Sequence, residues 1–413
     1  MTESPGVLRQ VAWRELFPWL ILFRTFKIAI SPGLLALAAV AILLTPIGWN
    51  TAGDVFLTPA ELSKARATSS QLAAAIPREV QVWFPESVRF AALDAYLRLS
   101  EPLARLFSLD LSLRESAYYA FGFLWTLALW AFPGGVITRK AIVQLATDEP
   151  VGVASAASYA GPRYFRYFLA PLYPVLVLVA LVCPIAALGW IIYALPEGGV
   201  LLAGLCWLLV ALVGLGALWL FGGLLFGWPL MWPTISAERD GDPFEAFSRS
   251  YSYVYGKPLH FFFYVVVAAA FGALCWAVVW TAMVLVQEFG FWALSWGAGG
   301  EATAEIRMQA LDFAIDGDAI WPKDRSLWNS GTTLIGAIIV LMHTVAAAFR
   351  YTFLFSVASA IYLLLRHDVD EKEMDEVYLE TPAADAPRKA TIAAEPAGTP
   401  APAPPVNDTD GRD

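Results

Sequence analysis

The sequence predicts an all-α fold: a polytopic membrane bundle of about six transmembrane helices, both termini cytoplasmic, with an extracytoplasmic helical insert. Three observations carry this. Of 413 residues, 58% are hydrophobic and only 15% charged, with mean hydropathy +0.58, whereas soluble chains are about half apolar and a quarter charged. The apolar residues gather into runs long enough to cross about 30 Å of hydrocarbon at about 1.5 Å per residue. Cations collect in the short segments on one side of those runs, which the positive-inside rule assigns to the cytoplasm. The 17 Trp, many at the ends of runs, fit interfacial anchoring. A formal charge of −9 argues against a nucleic-acid partner.

Residues 1–30 mix Arg9, Arg14, Arg24 and Lys27 with Trp13, Phe17, Trp19, Phe23 and Phe26. That pattern predicts a cytoplasmic amphipathic segment lying in the headgroup region, cations toward anionic lipid. No cleavable signal peptide is expected, because the first apolar run ends without a small-x-small site. Ser31-Pro32 supplies an N-cap and a first helical position, and the first span covers 31–49. The polar insert at 50–115 opens with Thr58-Pro59-Ala60-Glu61, a capping box starting a helix toward Ala75. A second amphipathic helix puts Phe90, Leu93 and Leu97 on one stripe, with Arg89, Asp94 and Arg98 elsewhere. The insert reads as a small cap resting on the membrane surface; a dedicated ligand-binding domain is the alternative.

Residues 117–365 hold five more spans. The second, 117–137, is closed by Pro133-Gly134-Gly135 and then Arg139-Lys140. The third, 167–193, carries Pro171, Pro174 and Pro184 and is expected kinked or broken. A tight turn at 195–199 forces the fourth, 200–228, antiparallel to it. Gly223-x-x-x-Gly227 there would admit another helix closely. The fifth is 259–286, and an acidic outer loop follows. The sixth, Thr333 to Leu365, is longer than one crossing requires and must tilt, kink or project. Residues 366–413 are cytoplasmic, ending in an Ala/Pro-rich tail of disordered composition. Cys183, Cys206 and Cys275 lie inside apolar runs and read as small hydrophobes.

The stretch between the fourth and fifth spans has a fainter copy between the second and third. DEPVGVASAASYAGPRYFRYF, from Asp148, and GDPFEAFSRSYSYVYGKPLHFFF, from Gly241, both open on an acid-Pro step and close on a Gly with a cation. The expected repeat covers 137–193 and 231–286, each a helix, a short surface helix and a second helix, a pattern of duplication. In the second copy Asp242 is placed to cap and Glu245 to complete a capping box. The segment ISAERDGDPFEAFSRSYSYVYGKP resembles the corresponding loop of the glycerophosphodiester phosphodiesterase membrane region. ITRKAIVQLATDEPVGVASAASYA and YLLLRHDVDEKEMDEVY are similar to segments of uncharacterised bacterial multi-pass proteins related to it. The resemblance implies a membrane module of the bacterial inner membrane without the catalytic barrel, which no soluble piece here is large enough to form.

Candidate sites are few. Gly256-Lys257 fails as a phosphate loop because Pro258 follows it, and His260, His343 and His367 stand in no metal or triad context. Arg249, between Ser248 and Ser250, suits a carboxylate of a neighbouring loop or an anionic lipid. Arg350 stands sixteen positions before Arg366, roughly 24 Å along a helix, and a charge at that depth is a functional suspect. His343 lies on the same face. With no acid inside the other spans, Glu238, Glu288, carbonyls, water or lipid remain as partners for Arg350. A structural role, a solute pathway and snorkelling stay open. No cofactor, metal site or catalytic constellation is visible, so an enzyme is disfavoured. The leading expectation is a non-catalytic membrane scaffold whose partners are membrane lipids, itself or other membrane proteins. The rival is a transporter or channel for an anionic or amphiphilic solute using Arg350 and His343.

Overall fold

The computed structural model describes residues 17–65, 91–107, 111–316 and 327–379. Tertiary contacts divide the chain at Tyr378, and of the second unit, 379–413, only Leu379 is described. Within the first unit the helices are α1 (Ile21–Ala29), α2 (Pro32–Phe56), α3 (Ala91–Leu106), α4 (Leu113–Thr147), α5 (Val153–Ala160) and α6 (Tyr164–Ala194). They continue as α7 (Pro196–Ala237), α8 (Pro243–Gly256), α9 (Pro258–Ala298), α10 (Gly300–Asp316) and α11 (Leu327–Asp370). No strand occurs among the described residues. The fold is an all-α polytopic bundle: α2, α4, α6, α7, α9 and α11 are long and apolar enough to cross a membrane. The Ala/Pro-rich tail, and the insert helix beyond residue 65, lie outside the described residues.

The centre of the bundle is α11. It packs against α1, α2, α3, α4, α7, α9 and α10, and every residue from Tyr351 to Arg366 is buried. Residues Thr352, Ser356, Ser359 and Tyr362 within that stretch are the polar ones a span turns away from lipid. At about 1.5 Å per residue α9 and α11 are each about twice the hydrocarbon thickness. Their outer ends carry α10, which occupies the expected outer loop. Phe291, Ala310 and Ile339 form a small core there, and Arg307 pairs with Glu288 at 2.6 Å.

Several expectations about element ends change. Pro133-Gly134-Gly135 does not close the second span: α4 runs on to Thr147, with Arg139 and Lys140 inside it and buried. The glycines make a recess. A Cβ on Gly134 would lie 1.9 Å from the Trp232 ring, and one on Gly135 would lie 2.8 Å from Tyr167. The third span is continuous through its prolines, and at Pro171 the freed carbonyl finds another donor. Pro171 cannot bond to the carbonyl of Tyr167, and Trp232 Nε1 donates to that oxygen at 2.8 Å. Ser31 stands at the N-cap of α2 without a side-chain cap bond; its hydroxyl instead accepts from Lys140 Nζ at 2.9 Å. Glu61 does complete the box at Thr58, accepting from its backbone N–H at 2.8 Å. Asp242 forms no such cap, and Glu245 turns to Arg249 at 2.6 Å instead of completing the box. The glycines at 223 and 227 admit the short helix α8 rather than another span. A Cβ on Gly223 would meet the Tyr251 ring at 2.2 Å, and one on Gly227 would meet Ser250.

Two segments expected at the surface enter the bundle. Helix α1 packs on α11 and α4: Thr352 Oγ1 donates to the carbonyl of Ala29 at 2.9 Å, and the Phe26 ring lies 5.9 Å from Phe349. Helix α3, from the insert, lies among α4, α9 and α11 with Ala95, Ser100 and Leu103 buried. The face that packs inward is that of Ala95 and Leu103, while Leu93 and Leu97 of the expected stripe are half-buried and Phe90 lies outside the described residues.

Candidate functional site

Two polar layers interrupt the apolar interior. The first closes the end of the bundle where α4 and α7 finish, called here the basic face. Helix α7 ends at Ala237, so its last carbonyls have no partner within the helix. Arg139 Nη1 donates to the carbonyl of Ser236 at 2.7 Å, and Tyr159 of α5 donates to those of Ile235 and Glu238, both at 2.9 Å. The backbone N–H of Tyr378 reaches Ala237 at 2.9 Å. Guanidinium is well matched to the negative end of a helix dipole, and here it also rests 3.8 Å from the centre of the Tyr159 ring. This cluster explains why Arg139 is tolerated inside α4.

Arg249 belongs to the same layer. Its guanidinium meets Glu238 at 3.0 Å, Glu245 at 2.6 Å and Asp370 at 3.6 Å. Glu238 also holds Arg366 at 3.2 Å, a side chain only 4% exposed. The carboxylates that the sequence allows Arg249 come from α8, from the end of α11 and from Glu238 just after α7. The layer ties α7, α8 and α11 together at the basic face.

The second layer lies deeper. Arg350 bonds to Asp94 of α3, and the guanidinium lies 5.1 Å from the centre of the Trp276 ring. Asp94 is not among the partners the sequence offers, since it sits in the insert, 256 positions away. The same carboxylate accepts from Arg98 Nε at 2.9 Å. One Asp therefore links a guanidinium from α11 to one on its own helix. His343 stacks on Trp280, ring centres 5.7 Å apart, and Trp280 is 5.6 Å from Trp276. Arg350 and His343 thus share one aromatic row between α9 and α11.

Beside this layer is a cavity of about 330 Å³, walled by α2, α3 and α4, by Leu62 and Ala65 of the helical segment 59–65, and by Tyr351 of α11. Its polar lining includes Arg98, Glu101, Asn50, Thr45 and Thr126; its rings are Trp49, Tyr118, Tyr119, Trp130 and Tyr351. Indole hydrogen bonds hold the wall in place, Trp49 Nε1 to Thr126 at 3.2 Å and Trp130 Nε1 to Thr45 at 3.3 Å. Toward the basic face Trp130 stacks on Tyr351 at 4.4 Å. Beyond it Phe355 and Trp232 continue the seal, ring centres 5.0 Å apart. The cavity is therefore backed by packed rings on that side. Helix α3 is fixed against α7 by a further proline effect: Tyr96 donates to the carbonyl of Leu225, the one Pro229 cannot use. Trp228 Nε1 donates to Ser100 at 3.0 Å.

Arg350 does not line this cavity; Arg98 does, with Asp94 between them. Of the three candidate residues, Arg249 is engaged by carboxylates, His343 by an aromatic stack and Arg350 by a carboxylate. The cavity residues Arg98 and Glu101 escaped sequence reasoning. The available signal was their spacing of three on an amphipathic helix, which puts both on one face. Among the described residues no three His, Cys, Asp or Glu side chains are placed to hold a metal ion. Comparison of the chain with family models, curated proteins and solved structures finds no match.

Proposed function

We propose that this chain is a non-catalytic, multi-pass protein of a bacterial cytoplasmic membrane, and that it binds an amphiphilic molecule in the cavity among α2, α3, α4 and α11. The observation that carries the reading is that cavity: a polar, aromatic-lined space inside a membrane bundle, backed by packed rings toward the basic face. Sites for small molecules are concave, mostly apolar and furnished with a few convergent polar groups. On the basic face, Arg139, Arg249 and Arg366 each bridge neighbouring helices through carbonyls and carboxylates, so they serve to hold helices together. The binding role then falls to the cavity rather than to Arg249 of α8. Kinship with the membrane region that accompanies glycerophosphodiester phosphodiesterases is part of the same proposal, as is association with bilayer lipid or with other membrane proteins.

Native mass spectrometry of the protein extracted in mild detergent tests the reading. Asn50 is exposed at the cavity wall, so Asn50→Trp fills the space with little loss of packing. The wild type should retain an amphiphile that N50W does not. Equal adducts, or none, would remove the reading's support.

A carrier is the second reading, and the Asp94–Arg350 pair favours it. An ion pair joining α3 to α11 deep in the bundle is a link that a charged ligand can compete for. Uptake of the retained amphiphile into proteoliposomes, absent with N50W, distinguishes carriage from binding alone.

A further inference from the structure

The charges around the cavity narrow the class of ligand. Glu101 stands on α3 at its wall, and its Oε1 is buried without a hydrogen-bond partner among the described residues. The nearest cation is Arg105, with Nε 3.7 Å from that oxygen, too far for a hydrogen bond. Burial holds the Glu101 carboxyl above the ordinary carboxylate range, against the pull of Arg105 and Arg98. Three residues earlier, Arg98 gives only its Nε to Asp94, and its side chain is 58% exposed. The remaining guanidinium donors are those best shaped for phosphate or carboxylate. Opposite stand Trp49, Tyr118 and Tyr119, in edge-to-face contact with ring centres about 5 to 6 Å apart. Such aromatic walls favour ammonium groups.

Neither charge alone suits the site. A simple cation would enter a cluster in which the guanidiniums of Arg98, Arg105 and Arg350 already outnumber the carboxylates of Asp94 and Glu101. A simple anion would leave the buried Glu101 oxygen unmatched and add like charge beside it. Positions three apart on a helix separate their Cβ atoms by about 5–6 Å. The charged ends lean apart from there, Arg98 back toward Asp94 and Glu101 on toward Arg105, and an α-amino acid, with its two charges across one carbon, is too short to meet both. A phosphoester of an amino alcohol carries them farther apart.

We propose that the cavity takes a phosphoryl-amine zwitterion, its ammonium between Glu101 and the aromatic wall and its phosphate on Arg98. This rests on the reading of the cavity as a binding site and names the chemistry it selects. The zwitterion has two possible sources: the head of a bilayer phospholipid, or the free water-soluble head.

Scanning fluorimetry on the full chain in detergent, read by its own tryptophans, tests this with four probes: dihexanoylphosphatidylcholine below its micellar concentration, phosphocholine, choline and inorganic phosphate. The zwitterionic probes should raise the melting temperature saturably, while choline and phosphate alone should not. Glu101→Gln and Arg98→Gln should each weaken the zwitterion by about tenfold or more, the loss expected for a hydrogen bond to a charged group. Arg98→Lys should recover part of that loss. A response to the lipid alone assigns the site to a bilayer lipid, and an equal response to phosphocholine assigns it to the free head. Either result supports the proposal. Choline or phosphate binding as tightly as the zwitterion would overturn it, while a ligand retained by wild type and lost in N50W would still uphold the binding reading. No response to any probe overturns the zwitterion, and the absence of any retained amphiphile overturns the binding reading with it. E101Q also serves as its own folding control, since it should melt no lower than the wild type.

Discussion

Replacing Asp94 by asparagine keeps the size and removes one charge, and the structure fixes who suffers. Arg350 has one carboxylate, Asp94, together with the face of Trp276. Asp94 has two guanidiniums, Arg350 and Arg98. Removing one partner of a fully buried pair costs about 3–5 kcal/mol. Here the side chains keep 21% and 24% of their exposure, and the indole retains an attraction of about 1 kcal/mol. The expected loss for Asp94→Asn is therefore about 2–3 kcal/mol. Arg350→Gln leaves Asp94 its bond to Arg98, and should cost about 1 kcal/mol. The double variant should fall close to Arg350→Gln alone, giving a coupling of about 2–3 kcal/mol, at the upper end of the range for residues in contact. Reversible unfolding in mixed micelles, titrated with denaturing detergent, measures all four proteins. If Asp94→Asn proved as mild as Arg350→Gln, or the two effects simply added, the pair would not be what holds Arg350 in the bundle.

Three further outcomes are expected. Glu238→Gln leaves both Arg249 and Arg366 short of a carboxylate, so it should destabilise by about 2–3 kcal/mol, more than Arg249→Gln; the same unfolding assay decides. Gly134→Val drives a side chain into the Trp232 ring and should cost at least about 3 kcal/mol, whereas Gly216→Ala meets open space and should be neutral or slightly stabilising. Partial rescue of Gly134→Val by Trp232→Leu would confirm the contact. The third concerns pH. The folded protein raises the Glu101 carboxyl by burial, so the fold gains from its protonated form. That contribution is complete below the ordinary carboxylate range and is lost as pH rises through the raised value. The melting temperature of the wild type should fall relative to that of E101Q across this window, leaving E101Q the more stable at neutral pH. Parallel curves would show that Glu101 titrates without strain.

A residue that lowers stability while furnishing a binding group is a common compromise at sites, and α3 shows why this one was hard to read. Its stripe of Leu93 and Leu97 predicts an amphipathic helix, but a membrane surface and a protein groove satisfy such a stripe equally. The prolines misled in a similar way. Pro133 read as the close of a span and Pro171 as a kink or a break, because a chain read in one dimension shows the missing N–H and not the donor that replaces it. Trp232 is that donor for Tyr167, and Tyr96 for Leu225.

The sequence by itself determined that six apolar helices cross a membrane and that the polar pieces between them sort onto two sides. Those conclusions follow from transfer between water and hydrocarbon, a property each segment carries alone. Only the tertiary structure decided that α11 is the centre, that the insert sends α3 inside, and that Asp94 meets Arg350 across 256 positions. Hydrocarbon and a neighbouring helix are equally apolar, so hydropathy does not distinguish a face turned to lipid from one turned to protein. Polar side chains choose partners only after those faces have been matched, and the cavity exists only where that matching leaves room.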